Sequence, residues 1–157
     1  LQFSNGEERS FERLNPWLHR TVMVVPMLDD KTVLLVKEYG AGQEDYYLSL
    51  PKGAVQEGEP ILEGANRELM EEAGYGARQL QILTRLTLSP AYMGNSVHLV
   101  LAQQLYPKKL PGDEPEPLEV VPWKLDSISK LLERPDFGEA YSLAALYLVR
   151  EKLGGCS

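Results

Sequence analysis

The sequence predicts an α/β fold, an α/β/α sandwich whose mixed β-sheet carries one helix on one face and C-terminal helices on the other. Three observations predict it. Short apolar runs with strand character fill residues 21–50 and 79–105, one helical stretch from about Glu59 to Ala73 lies between them, and a longer helical pattern runs from Phe137 to Leu153. There are no internal repeats or low-complexity runs.

Taken in order, Leu1 to Leu14 reads as two short alternating segments around Asn5-Gly6, a dipeptide that tolerates φ > 0, and predicts a β-hairpin. Pro16 and Trp17 interrupt it. Thr21–Leu28 and Thr32–Tyr39 flank the turn Asp29-Asp30-Lys31 as two strands, one of them apolar on both faces and hence central. Pro26 lacks a ladder donor and belongs at an edge register, a bulge or a strand end. Tyr46–Leu50 is a short strand leading to Pro51-Lys52-Gly53. Gln79–Leu88 and Ser96–Leu105 form two more strands around the loop 89–95, and the proline-rich, acidic stretch Pro107–Leu118 is a loop. Glu119–Lys124 is a last strand, Ser127 caps a helix to about Glu133, and Leu143, Leu146, Tyr147 and Arg150 recur at helical spacing in the final helix.

The chain has 157 residues, 43% of them hydrophobic, and its apolar runs stay well short of the roughly 18 residues a membrane span needs. This suits one domain over 1–157 with a real core. The formal charge of −7 argues against nucleic-acid or anionic-membrane partners, which need a basic footprint. An anionic small substrate would need a metal or a local arginine cluster. The N-terminus carries no secretory pattern, and the single cysteine, Cys156, cannot form an internal disulfide, so a cytoplasmic setting is expected. No basic residue adjoins Cys156 to activate its thiol.

Chemistry concentrates in the stretch Gly53–Tyr75. Glu68, Glu71 and Glu72 stand at i, i+3 and i+4, so their carboxylates share one helix face. A generic acidic triplet is a solvated face. Here the apolar stripe is Ile61, Leu62, Ala65, Leu69 and Ala73; Glu72 falls within its margin and Glu68 beside it. Partly buried carboxylates need counter-charge. Arg67 supplies one, towards Glu71, and a hard divalent cation the rest, with all-oxygen ligands favouring Mg²⁺ or Mn²⁺. Gly53 and Gly58 let the backbone pass close to a ligand. A P-loop fails because Glu59 and Pro60 follow Gly58, an EF-hand lacks its Asp/Asn ladder, and His19 and His98 form no zinc motif.

With Gly53, five residues, Glu59, seven residues, and then Arg67-Glu68-Leu69-Met70-Glu71-Glu72-Ala73-Gly74-Tyr75, the chain resembles the Nudix family. These fixed identities at fixed spacing would arise by chance with a probability on the order of 10⁻⁷ to 10⁻⁶. Tyr75 departs from the usual aliphatic residue. The HRTVMVVP strand, KEYGAG, GDEPEP and DFGEAYSLAALYLVRE resemble the ADP compounds hydrolase branch of the ADP-ribose pyrophosphatase group. Pro90 matches the marker proline of ADP-ribose pyrophosphatases, and Tyr92 sits near the tyrosine of diadenosine polyphosphate hydrolases. Two departures stand out: Glu38-Tyr39-Gly40 lacks the arginine common after the third strand's Gln-Tyr, and Leu48-Ser49-Leu50-Pro51-Lys52-Gly53 replaces the usual Glu-Leu-Pro-Ala-Gly.

The resemblance implies a Nudix sandwich hydrolysing the diphosphate linkage of ADP-containing compounds (ADP-ribose, diadenosine triphosphate, NADH) to AMP and a phosphorylated product. Glu68, Glu71 and Glu72, with the Lys52 or Gly53 carbonyl, would hold Mg²⁺, and Mn²⁺ would substitute. Glu71 and Glu72 would take part in catalysis, while Gly53, Glu59, Arg67 and Gly74 shape the motif. The base would come from the acidic loop, Glu116 first and Glu114 second. Arg20 or Arg13 would meet phosphate, Tyr46 or Tyr92 would stack on adenine, and Pro90 would mark the substrate loop. A homodimer is implied, with residues 1–14 reaching the partner's site. The alternative is a Nudix-fold sensor that binds an ADP-containing ligand without cleaving it; such members usually lose a motif glutamate, and this chain keeps all of them.

Overall fold

The computed structural model describes residues 1–14 and 20–154; Pro16, Trp17, His19 and Cys156 lie outside them. At its centre is β1 (Thr21–Pro26), buried from Val22 to Pro26 because both faces are covered. Val22 and Val24 pack with Ala65 and Leu69, whereas Met23 and Val25 pack with Leu131, Leu146 and Val149. The period of two thus sends alternate residues to opposite layers. Those layers are α1 (Ile61–Glu72) on one side and, on the other, α2 (Ile128–Leu131) with α3 (Ala140–Gly154). The α/β/α arrangement follows directly.

The strands divide into two sheets where one was expected. A four-stranded sheet has the order β4 (Lys52–Ala54), β1, β6 (Val97–Pro107), β5 (Tyr75–Leu86), with β1 and β6 parallel and the other pairs antiparallel. The second sheet, antiparallel throughout, has the order β3 (Asp45–Ser49), β2 (Thr32–Gly40), β7 (Glu119–Lys124). Beyond the turn at Asp29–Lys31, β2 keeps only the Met27–Val33 bridge to the end of β1 and then pairs elsewhere.

Pro26 ends β1, as its missing donor requires. β4 arises within what the sequence presented as a loop, and β5 starts directly after the helix, at Tyr75. The N-terminal hairpin is minimal: one bridge, Gln2–Glu8, around a turn in which the Gly6 N–H donates to the Phe3 carbonyl and Gly6 takes φ +83°. All of residues 1–14 are exposed, so no core face extends the pairing into strands.

Two helix starts also differ. Ser127 occupies the position before α2 but makes no side-chain cap bond; its carbonyl instead accepts the Trp123 indole N–H. α3 begins at Ala140 because the Glu139 carboxylate accepts the N–H groups of Tyr141 and Ser142 at 3.0 and 2.6 Å. Phe137 is buried ahead of that helix and bridges to Leu48.

Candidate active site

α1 lies across the four-stranded sheet with Ala65, Leu69 and Ala73 in the core. That orientation fixes where its glutamates go. Glu68 and Glu72 are only 8% and 6% exposed, so the carboxylates do lean into the protein. At its C-terminus, Gly74 takes φ +74°, which ends the helix and returns the chain as β5.

Gly53 on β4 explains how a carboxylate fits there. A Cβ on Gly53 would stand 2.2 Å from the Glu68 carboxyl carbon, so the carboxylate can lie where it does only while residue 53 has no side chain. One residue earlier, the Lys52 N–H donates to Glu72 Oε2 at 3.1 Å. The two buried carboxylates therefore rest against main chain of β4.

Arg67 organises the rest. Its Nε and Nη2 donate to the two oxygens of Glu59 at 3.0 and 3.1 Å, Nη1 to Glu68 Oε1 and Glu71 Oε2 at 2.8 Å each, and Nη2 also to the Ala54 carbonyl at 2.9 Å. The expected pairing with Glu71 is present, and Glu59 joins it. The Arg67 hydrogen bond holds Glu59 below the usual carboxylate range. Burial pushes Glu68 up despite Arg67, and burial pushes Glu72 up to about 8 with Lys52 opposing.

These carboxylates fit a hard divalent cation in chemistry: oxygen donors, desolvated, mutually repelling and short of positive charge. They are not drawn to one point, since Glu68 and Glu71 share Arg67 while Glu72 turns to Lys52. Among the described residues no three acidic, histidine or cysteine side chains form a ready-made metal cluster. Glu68 Oε2, Glu71 Oε1 and Glu72 Oε1 take part in none of the bonds above, and these are the atoms a cation would recruit.

The loop after β6 borders the same helix end. Lys108 N–H donates to the Gly74 carbonyl at 3.0 Å, Leu110 N–H to Met70 at 3.1 Å, and the Lys109 ammonium to the Glu71 carbonyl. A cavity of about 490 Å³ opens between Glu71 and the loop residues Glu114 and Glu116. Glu116 accepts the Tyr46 hydroxyl at 2.5 Å, and Tyr39 packs edge-on against Tyr46 with centroids 5.4 Å apart. Burial, with Glu38 and Asp113 nearby, raises Glu114.

The other candidates stand apart from the glutamates. Arg20 donates to the Glu59 carbonyl at 2.6 Å and so braces the loop into α1. Arg13 and Pro90 are exposed. Tyr92 is half exposed, and its carbonyl accepts the Leu14 N–H at 2.9 Å, linking the loop after β5 to the N-terminal segment.

A polar cluster that the sequence reading missed lies on the second sheet. The Lys52 ammonium pairs with Glu38 and donates to Ser49 Oγ at 3.0 Å, beneath the Tyr47 ring. Glu38 and Tyr47 are cross-strand partners in β2 and β3. Only that register brings them together, and no linear motif encodes it.

The fold and this glutamate-lined site define a hydrolase of the Nudix family, to which the chain belongs: the NUDIX domain model matches residues 17–146. Within the family the chain is 48% identical over 155 residues to the ADP compounds hydrolase NudE of Escherichia coli, a match covering 99% of this chain and 83% of that protein. It is 31% identical over 133 residues to the ADP-ribose pyrophosphatase of Bacillus subtilis, covering 83% and 72% of the two chains. A crystal structure of an ADP compounds hydrolase superposes with a TM-score of 0.90 at 48% identity, over 98% of this chain and 83% of that one.

Proposed function

We propose that this chain hydrolyses the diphosphate linkage of ADP-containing compounds, with ADP-ribose, diadenosine triphosphate and NADH as the candidate substrates. The observation that carries the reading is the pair of buried carboxylates, Glu68 and Glu72, seated on the glycine strand β4. In the reaction a water oxygen bonds to one phosphorus, the bridging P–O bond breaks, and the bridging oxygen leaves with the other phosphate, giving AMP and a phosphorylated product.

Glu68, Glu71 and Glu72, with main-chain oxygen of Lys52 or Gly53, would hold the divalent cation, Mg²⁺ by donor chemistry with Mn²⁺ as substitute. When bound, it supplies Lewis-acid stabilisation of the diphosphate and acidifies the attacking water. Arg67 orients Glu68 and Glu71 through the bonds given above, and Glu59 in turn orients Arg67. Glu114 and Glu116 border the cavity beside Glu71 and are the candidates to accept the water proton. Arg20, Tyr46, Pro90 and Tyr92 remain candidates for substrate contact.

The molecule acts in this reading as a single domain on a small-molecule nucleoside diphosphate derivative. Exposed Leu1, Phe3, Phe11 and Leu14 support a homodimer in which residues 1–14 dock on the partner. Among the described residues no helix is long and apolar enough to cross a membrane. A single cysteine suits a reducing cytoplasm.

Incubation with Mg²⁺ and each of the three substrates, with products resolved by chromatography, tests the assignment. AMP should form from at least one of them. Tight binding without AMP would establish a sensor instead.

A further inference from the structure

Lys52 is placed unusually for a lysine. Its side chain is 26% exposed and that of its partner Glu38 only 13%. The pair is set by backbone geometry: β2 carries Glu38 opposite Tyr47, and β3 continues through Leu50 and Pro51 into β4, which starts at Lys52. The same lysine touches the acidic centre, since its own N–H donates to Glu72. One residue thus holds Glu72 through its main chain and pairs its side-chain ammonium with a further carboxylate, Glu38.

A purely mechanical role, pinning the corner between β3 and β4, is already filled. The Leu50 N–H donates to the buried Ser142 hydroxyl at 2.9 Å, and the Val24 N–H donates to the Pro51 carbonyl at 2.8 Å. The ammonium is also already engaged, by Glu38, Ser49 and the Tyr47 ring. What remains is its charge. Lys52 is positive and Glu38 negative, and the pair they form hangs from the residue whose N–H holds Glu72.

We propose that Lys52 and Glu38 form a charge-setting pair for the divalent cation: the Lys52 ammonium weakens the hold of the acidic centre on the ion and Glu38 strengthens it. Lys52 is on this view a positioning residue that acts on the ion through space. The inference rests on the metal reading of Glu68, Glu71 and Glu72 but goes beyond it, because it assigns opposite effects to two residues outside the helix.

Opposite signs make the test decisive. Mn²⁺ is titrated into the free enzyme, without nucleotide, and unbound Mn²⁺ is read by electron paramagnetic resonance. Lys52→Met is expected to bind Mn²⁺ roughly 3- to 30-fold more tightly and Glu38→Gln weaker by a similar factor, the range one unit charge exerts on a divalent ion about 5 to 10 Å away when water screens the pair. The double variant should lie within about threefold of wild type, since the pair carries no net charge. Thermal unfolding without metal checks that each variant folds; should Lys52→Met fail, Lys52→Gln carries the same expectation while keeping a donor for Glu38. A mechanical pin predicts that both single variants weaken binding, and that outcome, or no change in either, overturns the pair while leaving the metal reading intact. Absence of Mn²⁺ binding in wild type, or binding that survives Glu72→Gln, overturns the metal reading and this inference with it.

Discussion

Arg67 and Gly53 show how single residues set the site. Arg67 stands between Glu59, Glu68 and Glu71, so its removal leaves like-charged, partly buried carboxylates unscreened. Arg67→Ala should lower stability by roughly 2–4 kcal/mol, as loss of one partner from a partly buried ion-pair network does. Differential scanning calorimetry with and without Mn²⁺ checks this, and added Mn²⁺ should recover part of the loss. Gly53→Ala makes a different prediction. The methyl group would collide with the Glu68 carboxyl, displacing it by the order of an ångström, so kcat should fall about 100-fold while the protein still folds. Both residues were legible in the sequence because the motif is local: a helix and the strand feeding it carry every member within one short stretch. The burial of Glu68 and Glu72 was legible too, from their angle to the apolar stripe.

At the level of elements, the loop from Lys108 to Leu118 is held to the end of α1 by Lys108, Lys109 and Leu110. The Lys109 ammonium caps the last helical carbonyls and anchors the start of the loop that carries Glu114 and Glu116. Glu114→Gln and Glu116→Gln separate the two base candidates: the one that accepts the proton should lose roughly 10²- to 10⁴-fold in kcat, the other little. Tyr46→Phe should mimic Glu116→Gln only if the Tyr46 hydroxyl bond positions a working Glu116. A further test concerns Asp136, beside Phe137 ahead of α3. The hydrogen bond from Arg134 holds its carboxyl down to about 2, from an ordinary 3.8, with Lys37 adding to the effect. A depressed folded-state value means that the stabilisation is fully present above the unfolded value and is lost as pH falls towards 2. Asp136→Asn should therefore be less stable than wild type at neutral pH, and the gap should close between about pH 4 and 2 in acid unfolding followed by circular dichroism.

Across the whole molecule, what the sequence hid is non-local. The strand list was nearly complete, yet the division into two sheets depends on β2 leaving β1 for β3 and β7, a choice made by register rather than by any residue of β2 itself. The Lys52–Glu38 pair is hidden for the same reason, its members being joined only once β2, β3 and β4 are aligned. The N-terminal segment was read as a hairpin from Asn5-Gly6; the turn is there, but with no core face against it only one bridge forms. If residues 1–14 dock on a second copy, sedimentation should give twice the chain mass, and deletion of those residues should shift it to the monomer.

Glu68 and Glu72, buried against β4, are proposed to form a metal-dependent hydrolytic centre for ADP-containing compounds. The decisive measurement is AMP release from ADP-ribose by wild type and Glu72→Gln, each with Mg²⁺ or with EDTA. Wild type should give AMP and a sugar phosphate with Mg²⁺ and none with EDTA, and Glu72→Gln should lose at least about 100-fold with no fall in thermal stability. AMP formed equally well in EDTA, or at the wild-type rate by Glu72→Gln, would rule such a centre out.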